Sequence, residues 1–219
     1  MPTTLAIDVC FDLVCPWCLI GKRHLATAVA ALATEHPDVE VRVAWRPVAL
    51  LPDTPASGVP FRAFYENRLG GAAAVAARQA QVRDAGRPAG IEFAFDRIAV
   101  FPSTLAAHRV VQFAEAEGGP RRSGVMIDAI MDAYFTRGEN IGDTLVLTHL
   151  AAGCGLDADA VSAWIESPES GSALDDARSW TRRRGLSGVP CFVFDDRHAV
   201  SGAQPAPVLL DVMRQVLEG

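Results

Sequence analysis

Lysine is almost absent from this chain: Lys22 stands alone against nineteen arginines. Together with the abundance of alanine, that imbalance reads as a GC-rich coding bias rather than a function. No stretch approaches about 18 uninterrupted apolar residues, so no membrane span is expected. No basic segment precedes a long apolar run at the N-terminus, where the first apolar residues already alternate like a strand. The expectation is therefore a cytoplasmic chain without a secretory leader. Neither a second CxxC nor an HxxxH follows the single CxxC at zinc-finger spacing, so no metal site is expected. The net charge of −6 gives no reason to invoke nucleic acid. The one dense basic run, Arg182-Arg183-Arg184, reads as the solvated end of a helix. Five cysteines are too few and too odd for a disulfide framework and suggest one functional pair plus single buried thiols.

What is there is concentrated in residues 5–32. Leu5, Ile7, Val9 and Phe11 alternate with Ala6, Asp8, Cys10 and Asp12, the period-two pattern of a strand. Ile20, Leu25, Val29 and Leu32 then recur at helical spacing. Between the two lies Cys15-Pro16-Trp17-Cys18, with Cys15 at or next to the helix N-cap and Pro16 at the first helical position, where a missing N–H costs nothing. The first turn of a helix carries unpaired N–H groups and a partial positive charge, which favour a thiolate over a thiol. Two intervening residues put Cys18 about one turn on from Cys15, within reach of a mixed disulfide formed there. The chemistry to which this points is dithiol–disulfide exchange.

The rest of the chain supplies a frame. Val39, Val41, Val43 and Trp45 mark a second strand, so the first three elements form a parallel βαβ unit. Residues 52–60 are rich in turn formers and read as a junction. From 61 to about 184 the periodicity is helical, with expected segments over 72–85, 104–117, 125–136, 145–154, 157–164 and 168–184. Ile91, Phe93 and Phe95 alternate in an isolated stretch that reads as an extended loop packing aromatics inward. Residues 191–194 and 198–201 form a hairpin, and 205–217 a last amphipathic helix. The expected architecture is α/β: a thioredoxin-like fold of order βαβ then ββα, on a mixed sheet, with a large all-helical insertion. Its first half covers 1–55, the insertion 56–170 and the second half 171–219.

Residues 12–22 (DLVCPWCLIGK) resemble the opening of the FrnE-like branch of the DsbA family of thiol–disulfide oxidoreductases. The likeness extends to 135–143 (FTRGENIGD), to Gly188-Val189-Pro190 and to 199–205 (AVSGAQP), in the expected order. The resemblance implies that Cys15 attacks and Cys18 resolves, with Pro16 and Trp17 lining the substrate surface. It also implies a cis-proline loop, in which Val189 offers backbone groups to an extended substrate segment and Pro190 fixes the loop. No cofactor is implied beyond the Cys15–Cys18 pair, with glutathione as a candidate co-substrate. Partners would be proteins or small molecules carrying thiols or disulfides, with no nucleic acid and no membrane; a homodimer is left open.

Two departures from that pattern stand out. Cys191 adds a thiol next to the Pro190 loop, either as a small buried hydrophobe or as a trap for Cys15. The position six residues before Cys15, where thioredoxins carry a buried acid, holds Val9; Asp8 and Asp12 lie nearby on the opposite face, a base role for either is left open, and Asp12 reads by preference as a turn former. Among histidines, His24 is expected at the edge of a polar face and His108 in a helical core. Two other functions compete: a glutathione-dependent isomerase or transferase of the hydroxychromene-carboxylate isomerase kind, which would favour a serine at Cys15, and a noncatalytic binding module, which would tolerate Cys15→Ala.

Overall fold

The structure, a computed structural model, describes residues 3–186 and 188–219. The chain divides into two compact units, one made of Met1–Val48 with Ala177–Gly219 and the other of Ala49–Asp176. The first unit holds a four-stranded sheet of order β2-β1-β5-β6, built from β1 (Thr3–Phe11), β2 (Val39–Pro47), β5 (Cys191–Phe194) and β6 (His198–Ser201). Strands β1 and β2 run parallel, while β5 is antiparallel to both β1 and β6. The hairpin turns at Asp195 and Asp196, whose φ values of 46° and 58° suit the positive-φ turn that matches strand twist.

The alternation in β1 sorts its side chains. Leu5, Ile7 and Val9 are buried with Phe192 and Phe194 of β5, which oppose Val9 and Ile7. Helix α1 (Pro16–Glu35) packs on this face so closely that a Cβ at Gly21 would sit 3.0 Å from Phe192 Cζ and 3.2 Å from Pro190 Cγ. Helix α8 (Ala206–Glu218) buries Leu209, Leu210, Met213 and Val216, and its Arg214 forks onto Glu35 of α1 at 3.0 and 2.7 Å. Cys10 and Cys191 point to the other face.

The second unit contains β3 (Val59–Pro60), α2 (Phe61–Leu69), α3 (Ala72–Gly86), β4 (Val100–Phe101), α4 (Leu105–Asp132), α5 (Thr144–Gly153) and α6 (Ala158–Glu166). Helix α7 (Pro168–Arg183) carries the chain back to the first unit. The expectation of an all-helical insertion needs correction, because β3 and β4 pair antiparallel within it. Each strand is two residues long and its partner lies some forty positions away, so no local periodicity announces the ladder. The 52–60 stretch lies in this second unit, which runs from Ala49 to Asp176. Gly118 and Gly119 take non-helical angles and divide α4 into two helical runs; the second begins near Pro120, ahead of the 125 read from periodicity. Asp143 and Asp157 cap α5 and α6 by accepting hydrogen bonds from Leu145 N–H (2.8 Å) and Ala160 N–H (2.9 Å). Ile91 and Phe93 are buried in an irregular segment, Phe95 is buried at the start of a 3-10 turn (Phe95–Arg97) that the expected extended loop did not include, and His108 is fully buried in this unit.

Candidate active site

Strand β1 ends at Phe11 and the chain turns through Asp12, whose carbonyl accepts the Cys15 N–H at 3.1 Å. The Asp12 carboxylate is fully buried, and its Oδ1 accepts the Leu13 N–H at 2.8 Å. That is the local turn bond expected of an aspartate here. Cys15 is the N-cap of α1 and Pro16 its first residue. Cys18 N–H donates to the Cys15 carbonyl at 3.0 Å, so the helix starts without slack at the tetrad.

The two thiols approach to 3.3 Å. Both are buried, Cys15 with 8% of its surface exposed and Cys18 with 3%, so Cys15 is the more accessible of the pair. Burial, the hydrogen bond with Cys15 and its charge push the Cys18 thiol well above its ordinary range. The Asp12 N–H bonded to the sulfur opposes this, while the Asp12 carboxylate adds to it. Cys18 is thus held as a protonated thiol, next to a more accessible partner.

Val189 and Pro190 come to the same place from the far end of the chain. The Val189–Pro190 bond is cis, and the Val189 carbonyl oxygen lies 3.9 Å from Cys15 Sγ, which can donate to it. Pro190 is buried against α1, near Gly21, and its carbonyl accepts the Gly202 N–H at 2.8 Å. Pro16, Trp17 and Val189 are half-buried. The structure therefore brings Cys15, Cys18 and the Val189–Pro190 loop together, with Pro16 and Trp17 in the first turn of α1. His24 lies further along α1, its Nδ1 2.8 Å from the Gln204 carbonyl, and so fastens the helix to the loop before α8.

Sequence reasoning missed one positioning residue and left the role of a second open. Gly21 allows α1 to reach Pro190 and Phe192; an isolated glycine inside a helical pattern was the available signal. Asp12 is more than a turn former, since its buried charge is felt at Cys18; its flanking Phe11, Leu13 and Val14, all buried, were the clue. Cys191 does not face Cys15 as a trap would require: it lies opposite Cys10 on the sheet face away from α1.

A family model described as a DSBA-like thioredoxin domain matches residues 6–214. The chain belongs to that family. Among solved structures, this DSBA-like chain is similar to a probable DsbA oxidoreductase from Streptomyces coelicolor, with 28% identity, a TM-score of 0.86, and 98% of this chain and 90% of that one covered. It shares its fold with a 2-hydroxychromene-2-carboxylate isomerase (13% identity, TM-score 0.74, 97% and 96% covered). The same holds for the cytosolic disulfide reductase DsbM of Pseudomonas aeruginosa with GSH (21% identity, TM-score 0.63, 97% of each chain covered). No described helix of this DSBA-like chain is long and apolar enough to cross a membrane.

Proposed function

We propose that this protein is a thiol–disulfide oxidoreductase of the FrnE-like kind, with Cys15 as nucleophile and Cys18 as resolving thiol. The observation that carries this reading is the asymmetry of the pair: two thiols 3.3 Å apart, the outer one at a helix N-terminus and the inner one buried. In the reductive direction Cys15 sulfur attacks a substrate disulfide. A Cys15–substrate bond forms, and the displaced substrate sulfur leaves and takes a proton. Cys18 then attacks Cys15 sulfur, closing the Cys15–Cys18 disulfide and releasing the second substrate thiol. Two electrons pass to the substrate; the oxidative direction is the reverse.

The Val189 backbone, beside Cys15, suits pairing with an extended segment, and Pro16 and Trp17 complete the surface such a segment would meet. The exchange needs no cofactor. Glutathione is the candidate co-substrate that resets the pair, and a cytoplasmic setting suits it. The presence of two cysteines at 15 and 18 favours exchange over the isomerase chemistry of the serine-bearing relatives. The test is insulin reduction by wild type and Cys15→Ser, with the midpoint potential of the Cys15–Cys18 couple. Loss of activity in the variant is expected; equal activity would remove the assignment.

A further inference from the structure

Behind the Val189–Pro190 loop, on the sheet face away from α1, lies a second pair of thiols that the exchange does not use. Cys10 of β1 and Cys191 of β5 are direct cross-strand partners. They are 0% and 2% exposed and form one buried cluster with Val193, covered by Val48, Trp180, Leu186 and Val189. The Gly202 N–H to Pro190 O bond turns the Cys191 backbone groups toward β1, which makes Cys10 and Cys191 a hydrogen-bonded pair of the ladder. Such partners have Cα atoms about 5.5 Å apart, inside the roughly 4.4–6.8 Å that a disulfide spans.

We propose that Cys10 and Cys191 are a second redox couple, oxidised to a cross-strand disulfide by small hydroperoxides and restored by thiols. The cover of apolar side chains admits a molecule of that size more readily than a protein disulfide. Arg46, the neighbour of Cys10 on β2, and Arg184 draw the Cys10 thiol pKa down, but burial, the facing Cys191 and the Asp8 carboxylate outweigh them. The two guanidiniums lie over the Trp180 ring at 4.9 and 4.0 Å, which fixes them near the pair. One sulfur of the pair attacks the peroxide O–O bond and becomes a sulfenic acid, and the leaving hydroxide takes the thiol proton as water. The other sulfur then displaces the hydroxyl as a second water and closes the S–S bond. Two thiols give up two electrons, and one hydrogen peroxide becomes two waters.

Cβ atoms of cross-strand partners lie about 4.5–5.5 Å apart, against the roughly 3.5–4.5 Å of a relaxed disulfide. Closure must draw β1 and β5 together, so the bond is readily reduced and the couple is reversible. Burial keeps the thiolate scarce, so this pair oxidises more slowly than Cys15 and Cys18.

The test is a time course of hydrogen peroxide on reduced wild type, followed by blocking with iodoacetamide in denaturant, digestion without reductant and peptide mapping. The expected product is a peptide pair joined through Cys10 and Cys191, lost on dithiothreitol treatment. In Cys191→Ser no such pair forms, and in Cys15→Ser it still does. Cys10 and Cys191 both remaining fully alkylated after Cys15 and Cys18 have oxidised would overturn the proposal, as would Cys191 linked to Cys15. The mapping reads this linkage whether or not Cys15 exchanges disulfides with a substrate.

Discussion

Alkali should destabilise this protein through Cys10. Its side chain has no exposed surface; burial, the facing Cys191 thiol and the Asp8 carboxylate push its pKa from an ordinary 9.0 to about 12, against the pull of Arg46 and Arg184. Above pH 9 the unfolded chain gives up this proton and the folded chain keeps it. The stability contributed by the protonated thiol is therefore complete below pH 9 and is lost as the pH climbs through 12. Each pH unit in that window costs about 1.4 kcal/mol. The loss is about 2 kcal/mol near pH 10.5 and at most about 4 kcal/mol by pH 12, against a total of roughly 5–15 kcal/mol for an ordinary domain. Urea unfolding of wild type and Cys10→Ala, with reductant, at about pH 8 and pH 10.5 isolates the effect. Groups common to both proteins cancel in the comparison, as does the cavity that alanine leaves. Wild type should lose about 2 kcal/mol more than the variant between the two pH values. Equal losses would mean that Cys10 ionises as it does in water, and the argument from burial would fail.

Asp12→Asn keeps an oxygen for the Leu13 N–H but removes a buried charge that disfavours the Cys18 thiolate, so in a Cys15→Ser background iodoacetamide should reach half-maximal reactivity with Cys18 at lower pH. An unshifted profile would deny any electrostatic link between the two groups. Phe192→Ala empties a fully buried site under α1 and should cost about 3–5 kcal/mol in chemical denaturation; a loss below about 1 kcal/mol would show that α1 and the sheet close the gap.

Much of the frame was legible because its signals are local. Period-two alternation located β1 and β2, a short apolar run followed by the turn at Asp195-Asp196-Arg197 located β5 and β6, and the Cys15–Pro16 step located the start of α1. Asp143 and Asp157 announced two helix starts by their side-chain chemistry. The β3–β4 ladder was not legible, since two-residue strands carry no period. The early start of the second run of α4 was hidden by Arg121, Arg122 and Ser123, polar residues that hold no apolar register. Within the site, the family resemblance marked Val189 and Pro190, whereas a lone X-Pro step reads as trans.

By itself the sequence determined the type of each long element and placed a dithiol where a strand meets a helix, because spacing and capping act within a few residues. Tertiary structure alone decided that a loop some 170 residues on would set its carbonyl beside Cys15, that Asp12 would lie buried under Cys18, and that Cys10 would meet Cys191. Those relations come from strand register and from the closeness with which α1 packs at Gly21, and register is a property of two segments together, which neither one encodes alone.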